Sequence, residues 1–424
     1  MPTRLPRSLV RHRRTPAPAR RRSRLTVLLS ATLLALTPVA PALAAPATTA
    51  GDVHRPKDGA PPFAKTLTPD LIALMQRLRI PGAVVSIRTP EWGTWTKTLG
   101  TESLRTGKPI AADEHFRVGS ITKTFTATVI LELVDEGRIE LDAPVSRYLR
   151  GVPNGRNITI RQLLQMTSGL YNYSEDLRFN QVLDDRPETQ WTPEELLAIA
   201  FRHQPYFPPG QGWHYSNTNY VILGLIAEKL THRPLASLMR DRVFRPVGMP
   251  HTNLATDTAF PSPHPRGYQF ISNVDSLTAP VLTGKDAAWA DWSAGNPEDV
   301  TDANPSWAWA AGGGISTLDD LLRWAPALAD GKLLSPQTQR QRLRFVPTSD
   351  VPGTPTYGLG IVDFSGFLGH DGQIPGYNSF VGYDPERKAT VVVLVNLNQS
   401  PDGTAPSDEL TKLILSEVFG VTPS

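Results

Sequence analysis

Residues 116–127 read FRVGSITKTFTA. A glycine precedes Ser120, and Lys123 follows three residues later, at the head of the run ATVILELV (127–134), which is apolar on nearly every side. Such a run predicts a helix buried all round, covering about 120–136 and stopping at Gly137. Positions i and i+3 of a helix share a face, about 5–6 Å apart at Cβ. If that face is buried, desolvation favours the neutral amine of Lys123. A neutral amine can take the serine proton and make Oγ nucleophilic, while free N–H groups at the helix start can hold an oxyanion. Taken alone, S-x-x-K is expected by chance roughly once or twice in a chain this long, and a solvated surface pair explains it as well. The rest of the chain has to decide.

The 424 residues suffice for a large composite domain and contain no cysteine, which excludes disulfides, thiolate chemistry and Cys-ligated zinc. Residues 1–44 hold nine arginines and no acid, then the apolar run LTVLLSATLLALTPVA and ALA at 42–44. This is the pattern of an export signal cleaved near Ala44-Ala45, too short for a comfortable membrane span. Without it the formal net charge falls from +3 to about −6, so the basic character belongs to the signal and is not a nucleic-acid footprint. The expectation is a secreted, soluble protein with no membrane anchor after cleavage, acting on a small molecule or peptide.

Residues 45–63 read as a flexible leader rich in Pro, Ala and Gly. Thr68 offers an N-cap and Pro69 a first helical residue, with Leu71, Leu74, Met75 and Leu78 at helical spacing. Strand patterns follow at 83–89 and 94–100 and return at 357–364, 377–384 and 389–398, before a closing helix at about 407–419. The middle, from about 146 to 310, is mostly helical, with a capping box at Thr192 and Glu195. Strands at both ends and helices between predict an α+β fold. One sheet draws on 64–145 and 311–424, a helical lobe on 146–310, and a cleft lies between them.

Two further motifs carry polar chemistry. Tyr215-Ser216-Asn217 opens a helical segment. A phenol beside a cationic lysine has its pKa lowered and can shuttle a proton, and Asn217 offers a carboxamide; Ser216 or Asn217 as a plain helix cap is the simpler account. His370-Asp371-Gly372 lies among the late strands, where glycine lets a ligand approach the backbone. His370 can position or protonate a leaving group, although ordinary turn chemistry also explains the stretch. The nine histidines show no metal-binding spacing, so neither metal nor cofactor is expected.

In order and context, these motifs resemble the penicillin-recognising serine hydrolases, over roughly residues 66–400. That family includes class C β-lactamases, secreted Streptomyces-type D-alanyl-D-alanine carboxypeptidases, and esterase and D-aminopeptidase relatives. RVGSITKTFTA, LVDEGRIELDAPVSRYL, YSNTNYVILG, WAAGGGIST and GHDGQIPGY carry the likeness. It implies a β-lactamase/DD-peptidase-like fold over 64–424. Ser120 is then the acylated nucleophile, Lys123 its base, Tyr215 the proton shuttle and Asn217 a binder of the substrate amide. His370 and Gly372 supply the third motif, the N–H groups of Ser120 and Gln373 the oxyanion hole, and Trp307 a wall of the cleft.

The specificity pocket departs from the carboxypeptidase pattern. Asp371 and Gln373 stand where those enzymes carry threonines that hold the substrate carboxylate, and IVDF follows YGLG (357–360) where they place an arginine. An ionised Asp371 in that pocket repels a carboxylate by about 1–4 kcal/mol at a few ångströms. The leading expectation is a D-alanyl-D-alanine carboxypeptidase or β-lactamase-like hydrolase. An esterase or a D-amino-acid amidase or aminopeptidase is the alternative within the family, and a non-catalytic wall-binding module the alternative outside enzymology.

Overall fold

The computed structural model describes residues 59–278, 295–351 and 353–421. The expected export segment 1–44 and leader residues 45–58 lie outside the described residues. Phe63, expected in the leader, is folded, its ring against Trp92 at 5.1 Å and Trp95 at 5.5 Å. Anchored there, the first helix runs Ala64–Arg77, five residues earlier than the Thr68 cap implies, and Pro69 falls inside it. Burial of Leu67, Leu71 and Met75 outweighs the single helical bond that Pro69 cannot make.

Both chain ends build one antiparallel sheet of eight strands. Its order is Gly93–Gly100, Gly82–Thr89, Ala389–Val395, Tyr377–Asp384, Phe367–Ile374, Val362–Phe364, Thr356–Tyr357 and Val346–Pro347. Alternation sets two faces. Val85, Ile87, Val391, Val393 and Val395 pack with the first helix and the last, Pro406–Phe419. Val84, Val381, Val392 and Leu394 face the other way, into the core shared with the helix Leu318–Ala329 and the helical body. The fold is α+β. Among the described residues no helix is long and apolar enough to cross a membrane.

The expected strand 357–364 is broken. Thr356–Tyr357 and Val362–Phe364 are separate strands, and the glycines between them turn under the nucleophile helix. A side chain at Gly360, where φ is +71°, would bring Cβ within 2.3 Å of Ala127 Cβ. That helix, Thr122–Asp135, is buried at every residue from Thr122 to Leu131, as its apolar run demands. Phe125 packs edge-on to Phe244 and against Trp324. In the middle of the chain, Pro193–Ala200 starts on the Thr192–Glu195 capping box, with both reciprocal hydrogen bonds made. The helix Asn217–Thr231 crosses beside the nucleophile helix and carries its polar N-terminus to the cleft.

One buried carboxyl makes stability depend on pH. Glu114, 1% exposed, lies just before the strand Phe116–Gly119. Burial and a hydrogen bond with Glu102 raise its carboxyl from 4.5 to about 8. Between those values the folded protein keeps a proton that the unfolded chain has lost, so this group's contribution to stability falls as pH rises through that window. Glu114→Gln removes the effect. In thermal melts, its gain in melting temperature over the wild type should be larger at pH near 8.5 than near 5; a gain independent of pH would show that Glu114 is not the titrating group.

Candidate active site

Two backbones meet at the site because glycines allow it. The strand Val362–Phe364 covers only residues 367–369 of the strand Phe367–Ile374, so the edge from His370 onward is open to residues 118–120. A Cβ on Gly372 would lie 2.1 Å from Val118 O, and one on Gly119, at φ +48°, would lie 2.7 Å from Gln373 N. Gly372 thus admits the protein's own strand, where the sequence suggested room for a ligand. This approach sets the Gln373 backbone beside Ser120, the arrangement an oxyanion hole needs.

Ser120 stands in the turn between the strand Phe116–Gly119 and the nucleophile helix, and Lys123 lies beneath it, fully buried. Lys123 Nζ is 2.9 Å from Ser120 Oγ, 2.7 Å from Asn217 Oδ1 and 2.8 Å from the carbonyl oxygen of Ala311. Burial drives its pKa well below the ordinary lysine value, against a smaller upward pull from the Asp371 charge. A neutral amine has two N–H donors and one lone pair. Asn217 Oδ1 and Ala311 O can only accept, so they take both donors, and the lone pair is left for the Ser120 hydroxyl. The Tyr215 hydroxyl donates to Ser120 Oγ over 2.6 Å. This geometry allows Ser120 to give its proton to Lys123 while a second donor holds the oxygen in place.

Tyr215 corrects an expectation. Its pKa lies well above 10, raised by burial and then by the Asp371 charge. The lysine beside it is neutral, so the cationic neighbour that would have lowered the phenol is missing. Tyr215 is placed as a neutral hydrogen-bond donor to Ser120 rather than as a phenolate. Asn217 is also re-cast. Besides accepting from Lys123, its Nδ2 donates to Ser174 Oγ at 2.9 Å and its backbone N–H to Asn172 Oδ1 at 3.0 Å. It is first a clamp on the base. Ser216 occupies the N-cap position but makes no side-chain cap bond.

His370 departs furthest from its expected role. The residue is 1% exposed. Its Nδ1 lies 2.7 Å from the carbonyl oxygen of Asp371 and 3.2 Å from Asp371 Oδ1, and its Nε2 lies 3.0 Å from the Tyr357 hydroxyl. Nδ1 faces only acceptors and so carries the proton, while Nε2 accepts from Tyr357. With both nitrogens engaged, His370 orients Asp371 and presents no free proton to a leaving group.

Asp371 itself points into the cleft with its side chain 40% exposed. Partial burial pushes its carboxyl up, but the hydrogen bond from His370 holds it below the usual aspartate range. The cleft has a volume of about 670 Å³. Ser120, Tyr215, Asn217, Trp307 and Gln373 line it with Asp371. No lysine or arginine is among its described lining residues. Gly372 is buried against Val118. Sequence reasoning missed Asn172, Ser174, Trp213, Tyr357 and the Ala311 carbonyl. Only the stretch SGLYNYS (168–174) gave a side-chain signal for the first two. That stretch is pinned by Glu175, which accepts from Asn172 Nδ2 at 3.1 Å and meets His214 Nε2 at 3.0 Å.

Comparison with known proteins identifies the family and the fold. A family model described as Beta-lactamase matches residues 70–415. A D-aminopeptidase of Cereibacter sphaeroides is 28% identical over 348 residues, 80% of this chain but only 61% of that protein's length. A D-stereospecific amidohydrolase from a Streptomyces species is 34% identical, with TM-score 0.70, over 85% of this chain and all of the other. D-amino acid amidase from Ochrobactrum anthropi SV3, solved with D-phenylalanine, is 27% identical with TM-score 0.70, over 84% of this chain and 99% of its own.

A fluorophosphonate should acylate the wild type and not Ser120→Ala; equal labelling of the two would remove Ser120 as nucleophile. Lys123→Ala and Tyr215→Phe should each slow acylation by roughly 10²–10⁴. Because the base is neutral, the wild-type acylation rate should already be level near neutral pH. It should not climb toward the ordinary lysine value of about 10.4.

Proposed function

The chain belongs to the Beta-lactamase family, and from that premise we propose that this serine hydrolase cleaves amides of D-amino acids that keep a free α-ammonium group. The observation that carries the reading is Asp371, an ionised carboxylate within the cleft, with no lysine or arginine among the described lining residues. Such a wall attracts an ammonium and repels a terminal carboxylate by about 1–4 kcal/mol at a few ångströms. Carboxypeptidase action on D-alanyl-D-alanine ends fits it poorly. The names of the relatives, D-aminopeptidase, D-stereospecific amidohydrolase and D-amino acid amidase, support the amide reading. The N-terminal sequence supports export of the enzyme from the cytoplasm.

In this reading Ser120 Oγ attacks the amide carbonyl carbon and its proton passes to Lys123 Nζ. The negative oxygen that forms faces the N–H groups of Ser120 and Gln373. Collapse expels the amine, which takes the proton from the Lys123 ammonium through the Tyr215 hydroxyl, and leaves an ester on Ser120. Water then attacks that ester along the same relay, releasing the D-amino acid and the free serine.

Turnover of D-alaninamide, N-acetyl-D-alaninamide and an N-acylated D-Ala-D-Ala peptide, with wild type and Asp371→Asn, tests the proposal. The free amide should be the best substrate. Asp371→Asn should lower its kcat/KM by roughly 10-fold or more, chiefly through KM, with little change for the acetylated amide. A wild type that prefers the carboxylate-ended peptide would overturn the reading.

A further inference from the structure

Next to the loop that carries Asn172 and Ser174 stands a column of four rings. Tyr171 stacks on His203 at 3.9 Å and on Tyr206 at 5.3 Å, and Tyr206 lies against His214 at 3.8 Å. Two of these rings hold the carboxylate of Glu175, the last residue of the short helix Tyr173–Glu175. The Tyr206 hydroxyl donates to Oε2 at 2.5 Å, and His214 Nε2 lies 3.0 Å from Oε1. Glu175 is not among the described residues that line the cleft, so any effect it has on the chemistry passes through its neighbours.

Those neighbours form an unbroken chain to the base. Partial burial pushes the Glu175 carboxyl up, but hydrogen bonds from His214, Tyr206 and Asn172 hold it below the usual glutamate range. It is therefore ionised and can only accept. Oε1 takes a hydrogen bond from Asn172 Nδ2 at 3.1 Å. Asn172 Oδ1 accepts from the backbone N–H of Asn217 at 3.0 Å and from the Ser174 hydroxyl at 2.9 Å. With its proton committed there, Ser174 Oγ accepts from Asn217 Nδ2 at 2.9 Å. Asn217 Oδ1 is left facing Lys123 Nζ at 2.7 Å.

Each bond sets the direction of the next. A reversed Asn217 carboxamide would turn Nδ2 to Lys123 and Oδ1 to Ser174. The Ser174 proton would then leave Asn172, which could answer only by reversing too. Its Oδ1 would meet the Glu175 carboxylate and its Nδ2 the backbone N–H of Asn217, acceptor against acceptor and donor against donor. Polar groups left so in a partly buried place are costly. A reversed Asn217 would also offer a donor to the Lys123 lone pair, in competition with the Ser120 hydroxyl.

We propose that Glu175 is a positioning residue for acylation: its carboxylate, held by Tyr206 and His214, fixes the polarity of the Asn172–Ser174–Asn217 chain and keeps the Lys123 lone pair turned to Ser120. The proposal rests on Ser120 and Lys123 acting as nucleophile and base, and it holds whichever amide or ester is cleaved.

Labelling by a fluorophosphonate over a range of concentrations separates the limiting rate, kinact, from the affinity, KI. Glu175→Ala should lower kinact roughly 10-fold or more, with KI little changed. Glu175→Gln keeps an acceptor for Asn172 and should recover most of that loss. His203→Ala breaks the 2.8 Å bond to Asp176 and the same ring column, but no bond of the chain. It should lower the melting temperature and leave kinact unchanged. Should Glu175→Ala fail to fold, Ser174→Ala cuts the same chain nearer the base and should lower kinact by a like factor. Unchanged kinact in the folded variants, a loss confined to KI, or an equal loss in His203→Ala overturns the proposal. Equal labelling of Ser120→Ala and wild type would instead sink the acylation reading on which it rests.

Discussion

The site depends on a lysine with nowhere to put a third proton. Lys123 sits on a helix sealed on all sides, and its amine meets Asn217 Oδ1, Ala311 O and Ser120 Oγ. Two of these partners are obligate acceptors, so the third contact must be lone pair to hydroxyl. Burial makes the charged form expensive, and hydrogen-bond counting shows where the neutral form directs its basicity. Much of the surrounding structure serves this arrangement. The helix Asn217–Thr231 delivers the carboxamide, the loop at Asn172 and Ser174 fixes its orientation, and the turn after Tyr357 closes beneath the nucleophile helix.

A second constraint is steric. An oxyanion hole built from two separate strands needs backbones closer than side chains allow. Gly119 and Gly372 supply that clearance, and the short neighbouring strand ends at the point where the open edge must begin. With backbone committed to the reacting oxygen, selectivity falls to the side chains on the same edge. Asp371, held ionised by His370, gives the cleft a negative wall. The histidine of the third motif thereby acts through its neighbour rather than on the substrate.

Much of this was legible in the sequence because it is local. The buried nucleophile helix follows from its apolar run, the Thr192–Glu195 box from its spacing, and the α+β class from strands at both ends. The family resemblance, spread over many short motifs, named Ser120, Lys123, Tyr215 and Asn217, which the fold places within hydrogen-bond reach of one another. The failures are equally physical. Phe63 reads as leader because its aromatic partners, Trp92 and Trp95, are distant in sequence. YGLG reads as strand because its spacing does not reveal that Ala127 lies 2.3 Å from a hypothetical Gly360 side chain.

By itself, the sequence determined which groups could react: a serine one helical turn from a lysine, a tyrosine, an asparagine and an acidic third motif. Only the tertiary structure decided what state they are in and which way they face. Protonation depends on the burial of Lys123 and Tyr215, and burial is a property of packing. The engagement of His370 by Tyr357, the Ala311 carbonyl under the amine and the bond from Asn217 to Asn172 join residues that no short-range pattern links. A hydrogen-bond acceptor supplied by backbone leaves no mark on residue identity, so its contribution could be read only after the chain had folded.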